Sequence, residues 1–154
     1  MSEMWSSEYR AHKGDIGLHV WRKRIGAPTK GRADKPLVFL VHGSSFSGRS
    51  GFDLQVPGKP GYSMMEAFAE WGFDVWLMDH EGYGRSGWGE GAFAYVKEGV
   101  DDLKAAMEVI EAETGHAKAS MYGGSSGALR AACLALARSI SPLRYNLFWV
   151  STMP

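Results

Sequence analysis

Gly123-Gly124-Ser125-Ser126-Gly127 is the stretch on which the reading of this chain turns. The five residues fit G-x-S-x-G and join two segments of different character. Lys118 to Tyr122 reads as a short strand. Ser126 to Arg138 reads as a helix that is apolar almost all round, through Ala128, Leu129, Ala131, Ala132, Cys133, Leu134, Ala135 and Leu136, so burial is expected. A serine on so sharp a strand-to-helix turn sits in a strained backbone, and small residues two positions to either side relieve the crowding. Its hydroxyl then stands above a sheet, with a helix amino terminus behind it to favour developing negative charge. Ser125 is therefore the candidate nucleophile, supported by Gly123 and Gly127. The five residues alone leave a rival open, a Gly/Ser-rich connection that merely joins strand to helix.

The surrounding chain supplies the context. Leu37 to Val41 and Val75 to Met78 are continuous apolar runs, as expected of strands covered on both faces in a parallel sheet. Between them a helix is predicted, opened by a Ser63/Glu66 capping box, carrying Met64, Phe68 and Trp71 at helical spacing, and closed by Gly72. A second helix runs from about Tyr95 to Thr114. Val96, Val100, Leu103, Met107 and Ile110 form its apolar stripe, while Lys97, Asp101, Asp102, Lys104, Glu108 and Glu111 are expected to face away. Tyr9 to Lys23 alternates like a hairpin about Lys13-Gly14-Asp15, with Ile16, Leu18 and Val20 on one face and His19 and Arg22 on a more polar one. Gly26 to Lys35 reads as a surface loop and Tyr145 to Val150 as another buried strand. This alternation predicts an α/β architecture in one domain over residues 1–154.

Two further motifs lie on the strands so placed. Val41-His42-Gly43-Ser44 closes the first apolar strand, and Asp79-His80-Glu81-Gly82-Tyr83-Gly84-Arg85-Ser86 follows the second. A His-Gly at a strand end suits an oxyanion loop: the N–H groups of Ser44 and Ser126 would hold the oxyanion, with His42 and Gly43 shaping the turn. With these motifs in this order, the chain resembles the α/β-hydrolase superfamily along nearly its whole length. That resemblance implies a three-layer, mostly parallel sheet and a serine hydrolase. The substrate would be an ester, thioester or amide, or a carbon–carbon bond in some relatives. A serine at the elbow speaks against relatives whose nucleophile is aspartate.

The resemblance also implies a histidine and an acid after the nucleophile, since serine is weak without an oriented base. From Ser126 to Pro154 there is no His, Asp or Glu, and all five histidines precede the elbow. His80, at the carboxyl end of a strand, is the candidate substitute base, set against a simpler role as a turn residue. His12, His19 and His116 fall at connections, and Asp79 and Glu81 read as turn carboxylates. About six of the family's eight strands are counted. The expectation is a partial domain, truncated after about six strands, without the last strands, the cap and the triad's His and acid, and so incomplete as a catalyst. A strand bearing Leu147, Phe148 and Trp149 would then be an exposed apolar edge, open to self-association or to a complementing C-terminal fragment. The alternative reading is a non-catalytic binding module built on the same scaffold.

Composition narrows the rest. Seventeen basic and seventeen acidic residues balance, which speaks against a nucleic-acid partner. Gly43 to Ser50 nearly matches a phosphate-binding loop, but Arg49 stands where a lysine is needed and Gly51, Pro57, Pro60 and Gly61 follow. Gly82, Gly84 and Gly87 spell a dinucleotide fingerprint, yet Trp88-Gly89-Glu90-Gly91 intervenes before any helix. Both nucleotide readings are therefore poor. No His/Cys spacing suggests a metal, and no cofactor is expected. The one cysteine, Cys133, the absence of a basic n-region or apolar h-region at the amino terminus, and apolar runs too short for a span make a cytoplasmic protein without a membrane partner the expectation.

Overall fold

The computed structural model describes residues 3–90, 95–139 and 146–151. Strands β1 (Met4–Lys13) and β2 (Ile16–Ile25) form an antiparallel hairpin, and β2 pairs antiparallel with β4 (Asp74–Met78). From there the pairing turns parallel, through β3 (Leu37–Val41), β5 (Ser120–Gly124) and β6 (Asn146–Ser151). The described sheet therefore has six strands in the order β1-β2-β4-β3-β5-β6. Tyr145 and residues 152–154 lie outside the described residues, as do 91–94.

Side chains of the central strands alternate between two cores, as the pleat requires. Phe39, Val41, Trp76, Met78 and Met121 pack with helices α3 (Val96–Thr114) and α4 (Ser126–Ser139). Val38, Leu40, Val75 and Leu77 pack instead with α1 (Gly48–Phe52) and α2 (Met64–Glu70). Burial on both faces explains why these strands read as unbroken apolar runs. The three-layer α/β arrangement is thus present.

Several local expectations need correction. The hairpin starts at Met4 and reaches Ile25, with Gly14 at φ 59° in its two-residue turn. Its polar face is not a solvent face: His19, Arg22, Lys23 and Arg24 are all buried. Each cation reaches a carboxylate, Arg22 Nε donating to Asp74 at 2.8 Å and Lys23 Nζ to Asp53 at 2.7 Å, which is what permits burial. Only half of the capping box forms. Ser63 Oγ accepts from the Glu66 N–H at 3.1 Å, but the Glu66 carboxylate turns to Lys23 and Gln55. Trp71 lies at the C-cap of α2 and is exposed. A short helix, α1, starts at Gly48 where no helix was expected, and ends within two turns. Helix α4 is buried on one side only: Ala128, Ala131 and Leu134 face the core, whereas Leu129, Cys133 and Leu136 are exposed. No helix among the described residues is long and apolar enough to cross a membrane.

Candidate active site

The carboxyl ends of β3, β4 and β5 lie side by side, and each carries one of the three motifs. Ser125 is the single residue between β5 and α4, with φ 53°, the only non-glycine residue of positive φ among those described. The left-handed conformation costs an L-residue roughly 1–2 kcal/mol, so something must hold it there. Packing does. A Cβ on Gly127 would stand 2.3 Å from Val41 O and 2.5 Å from His42 O; one on Gly123 would stand 2.5 Å from Ala128 N. Both glycines let the first turn of α4 sit directly on the ends of β3 and β5. Gly43 approaches from the other side, where a Cβ would lie 2.9 Å from Gly124 O and 3.0 Å from Ser125 Cβ.

Ser44 and Ser126 meet through their hydroxyls, Oγ to Oγ at 2.8 Å. Ser125 is exposed and opens on a pocket of about 440 Å³ lined by residues that include His42, Ser44, Phe46 and Phe52. Phe52 is buried and meets Tyr122 edge to face at 6.0 Å, while Phe46 stands exposed at the rim. The Ser125 hydroxyl has no hydrogen-bond partner among the described residues.

His42 is held in one state. Its Nε2 accepts from the His80 N–H at 2.9 Å, which leaves Nδ1 to carry the proton and donate to Gly43 O at 2.6 Å. Burial, with the neighbouring His80 adding to it, lowers its pKa to about 4, so the ring is neutral at pH 7. Its own ring meets those of His80 at 4.6 Å and Tyr83 at 5.0 Å.

His80 lies elsewhere. It is buried, its Nδ1 is 3.0 Å from Asp102 Oδ2 on α3, and it does not line the pocket. Because β3 runs between β4 and β5, its backbone is two strand spacings, roughly 9–10 Å, from that of Ser125. Burial holds its imidazole below the usual range despite the Asp102 carboxylate. Asp102, expected to face solvent, is instead buried and also accepts from the Glu81 N–H at 3.0 Å and from Lys13. Burial alone would raise its carboxyl, but His80 and Lys13 outweigh this and hold it below the ordinary value. Asp79 is a brace for the following turn. It accepts from the N–H groups of Gly48 at 2.7 Å and Arg85 at 3.0 Å, and a Cβ on Gly84, at φ 53°, would fall 2.2 Å from it. His19, assigned to a connection by its sequence position, sits mid-strand with Nδ1 3.3 Å from Asp79. His116 does close a connection, its Nε2 lying 2.7 Å from Lys35 O. Among the described residues no cluster of three or more His, Cys, Asp or Glu could hold a metal ion.

A family model described as serine aminopeptidase, S33, matches residues 62–149, more than half of the chain. The chain belongs to this hydrolase family. No curated protein matches it. Solved structures share the α/β-hydrolase fold. A predicted CIB-like hydrolase from Thermoplasma acidophilum is 16% identical with a TM-score of 0.68, over 94% of this chain and 62% of that one. An epoxide hydrolase from Vigna radiata is 19% identical with a TM-score of 0.66, over 97% and 41%. A 2-hydroxy-6-oxo-6-phenylhexa-2,4-dienoate hydrolase from Rhodococcus sp. strain RHA1 is 20% identical with a TM-score of 0.67, over 99% and 49%. The chain thus spans between about two fifths and three fifths of the length of these three proteins.

In this chain the residues that sequence reading overlooked are Asp102, Tyr83 and Arg130. Tyr83 donates its hydroxyl to Ser44 O at 3.0 Å. Arg130, 1% exposed on α4, reaches His42 O at 3.4 Å. An arginine amid the alanines of an apolar helix was a readable signal, since its guanidinium must find acceptors wherever it is buried.

Proposed function

We propose that this chain provides the nucleophile and oxyanion hole of a serine hydrolase acting on an ester-like acyl substrate. The observation that carries the reading is Ser125 itself: a strained, exposed serine at a pocket mouth, flanked by the joined Ser44 and Ser126. Ser125 Oγ attacks the acyl carbon, and the N–H groups of Ser44 and Ser126 receive the charge that builds on the carbonyl oxygen. Phe46 and Phe52 offer apolar surface to the acyl chain. No His, Asp or Glu follows Ser125 in this sequence, and His80 is buried and does not line the pocket, so this reading assigns the general base to none of them.

A second reading, a binding module without chemistry, draws support from a Ser125 hydroxyl that has no hydrogen-bond partner among the described residues. The two separate under a fluorophosphonate probe read by intact mass, with and without imidazole as an external base. The serine-hydrolase reading expects one phosphonyl group per chain, dependent on imidazole and lost in Ser125→Ala. An unlabelled, folded chain under both conditions would favour the binding module.

A further inference from the structure

Three consecutive carbonyls of the loop after β3 are each tied by a different side chain. His42 O accepts from the Arg130 guanidinium at 3.4 Å, Gly43 O from the His42 imidazole at 2.6 Å, and Ser44 O from the Tyr83 hydroxyl at 3.0 Å. The donors come from three elements: α4, the end of β3, and the turn after β4. They are also linked to one another. Arg130 lies close to the Tyr83 side chain, and the Tyr83 ring packs on His42 at 5.0 Å between centroids. A peptide group is planar, and in the trans form its C=O and N–H point in opposite directions. Fixing each of these carbonyls therefore fixes the N–H of its own peptide: that of Gly43 through Arg130, of Ser44 through His42 and of Ser45 through Tyr83.

We propose that Tyr83 and Arg130, acting with His42, are positioning residues for the oxyanion hole: His42 holds the peptide that carries the Ser44 N–H, and Arg130 and Tyr83 hold the peptides on either side of it, so that this N–H is aimed before substrate arrives. The inference rests on the reading of Ser125 as nucleophile. It assigns to the turn motif Gly82-Tyr83-Gly84 a task beyond shaping a turn. Gly84, at φ 53° against Asp79, and Gly82, at φ 78° against the Trp88 ring, set the two bends between which Tyr83 projects. Donors oriented in advance matter because an oxyanion hole gains its effect by requiring no rearrangement when the charge develops.

The test uses the same probe on the 154-residue chain with imidazole present. In that step a bond forms between Ser125 Oγ and phosphorus, the P–F bond breaks, fluoride leaves, and the serine proton passes to imidazole. Charge grows on the phosphoryl oxygen only during reaction, so kinact reports the hole and KI reports the pocket. Tyr83→Phe keeps the ring against His42 and removes only the hydroxyl. It is expected to lower kinact about tenfold with KI unchanged, less than the 10²–10³-fold cost of deleting an oxyanion donor outright. Arg130→Lys, checked by thermal melt beside it, is expected to move kinact in the same direction and leave KI in place. Unchanged kinact in folded samples of both variants overturns this inference while Ser125 stands as nucleophile. Equal effects on kinact and KI also overturn it, since they mean that the pocket rather than the hole was disturbed. If the parent chain takes no label at Ser125, the nucleophile assignment fails and this inference with it.

Discussion

At Ser125 a conformation that L-residues avoid is stabilised by neighbours small enough to let three backbones meet. The same contacts predict which glycines are replaceable. Gly127→Ala places a methyl group within 2.5 Å of two carbonyl oxygens, against backbone that cannot move alone, and should cost about 3 kcal/mol in urea unfolding. Gly124→Ala meets only Phe52 Cζ at 3.9 Å and should change stability by less than about 0.5 kcal/mol. Similar losses in both variants would show that the elbow is not packed as described. His42 gives a pH signature. Its folded pKa of about 4 lies below the ordinary 6.5, so between those values the unfolded chain binds more protons. Stability must then fall as pH drops from about 6.5 to about 4. The carboxyls of Asp79 and Asp102, held below their ordinary 3.8, add their losses only at more acidic pH. His80 titrates in the same sense as His42, so His42→Gln should flatten the fall without abolishing it. An undiminished slope in that variant would contradict a buried neutral His42.

Among the elements, helix α3 shows how far periodicity carries and where it stops. Val100, Leu103, Met107 and Ile110 are buried as their spacing implies, and Asp101, Lys104, Glu108 and Glu111 are not. Asp102 sits beside the stripe, between two classes, and only the three-dimensional position of Lys13, His80 and the Glu81 N–H decides that it turns inward. Nothing local to the helix encodes those partners, which come from a hairpin 89 residues distant and from the end of β4. Removing one member of a buried charged cluster leaves the others uncompensated. Asp102→Asn should therefore cost about 3 kcal/mol, and its half-buried neighbour Asp101→Asn under about 0.5 kcal/mol. Equal effects would mean that the cluster is solvated. Helix α4 taught the opposite lesson. Its alanines suit burial on any side, so composition alone did not reveal that Leu129, Cys133 and Leu136 lie outside.

At the scale of the molecule, the α/β class, the parallel strands and the order of the three motifs were legible because each is written in contiguous residues. Strand burial shows as apolar runs, and the elbow shows as two glycines around a serine. The network that joins these motifs was not legible. Tyr83, Arg130 and Asp102 act through atoms contributed by other elements, so their roles exist only once β3, β4, β5 and α4 are assembled. The central claim is that β3 and the elbow together build one oxyanion hole on Ser125. A crystal structure of the phosphonylated chain tests it most directly. The account predicts phosphorus bonded to Ser125 Oγ, with one phosphonyl oxygen about 2.7–3.1 Å from both the Ser44 and the Ser126 nitrogen. Phosphorus on any other residue, or that oxygen turned to solvent away from both nitrogens, would contradict it.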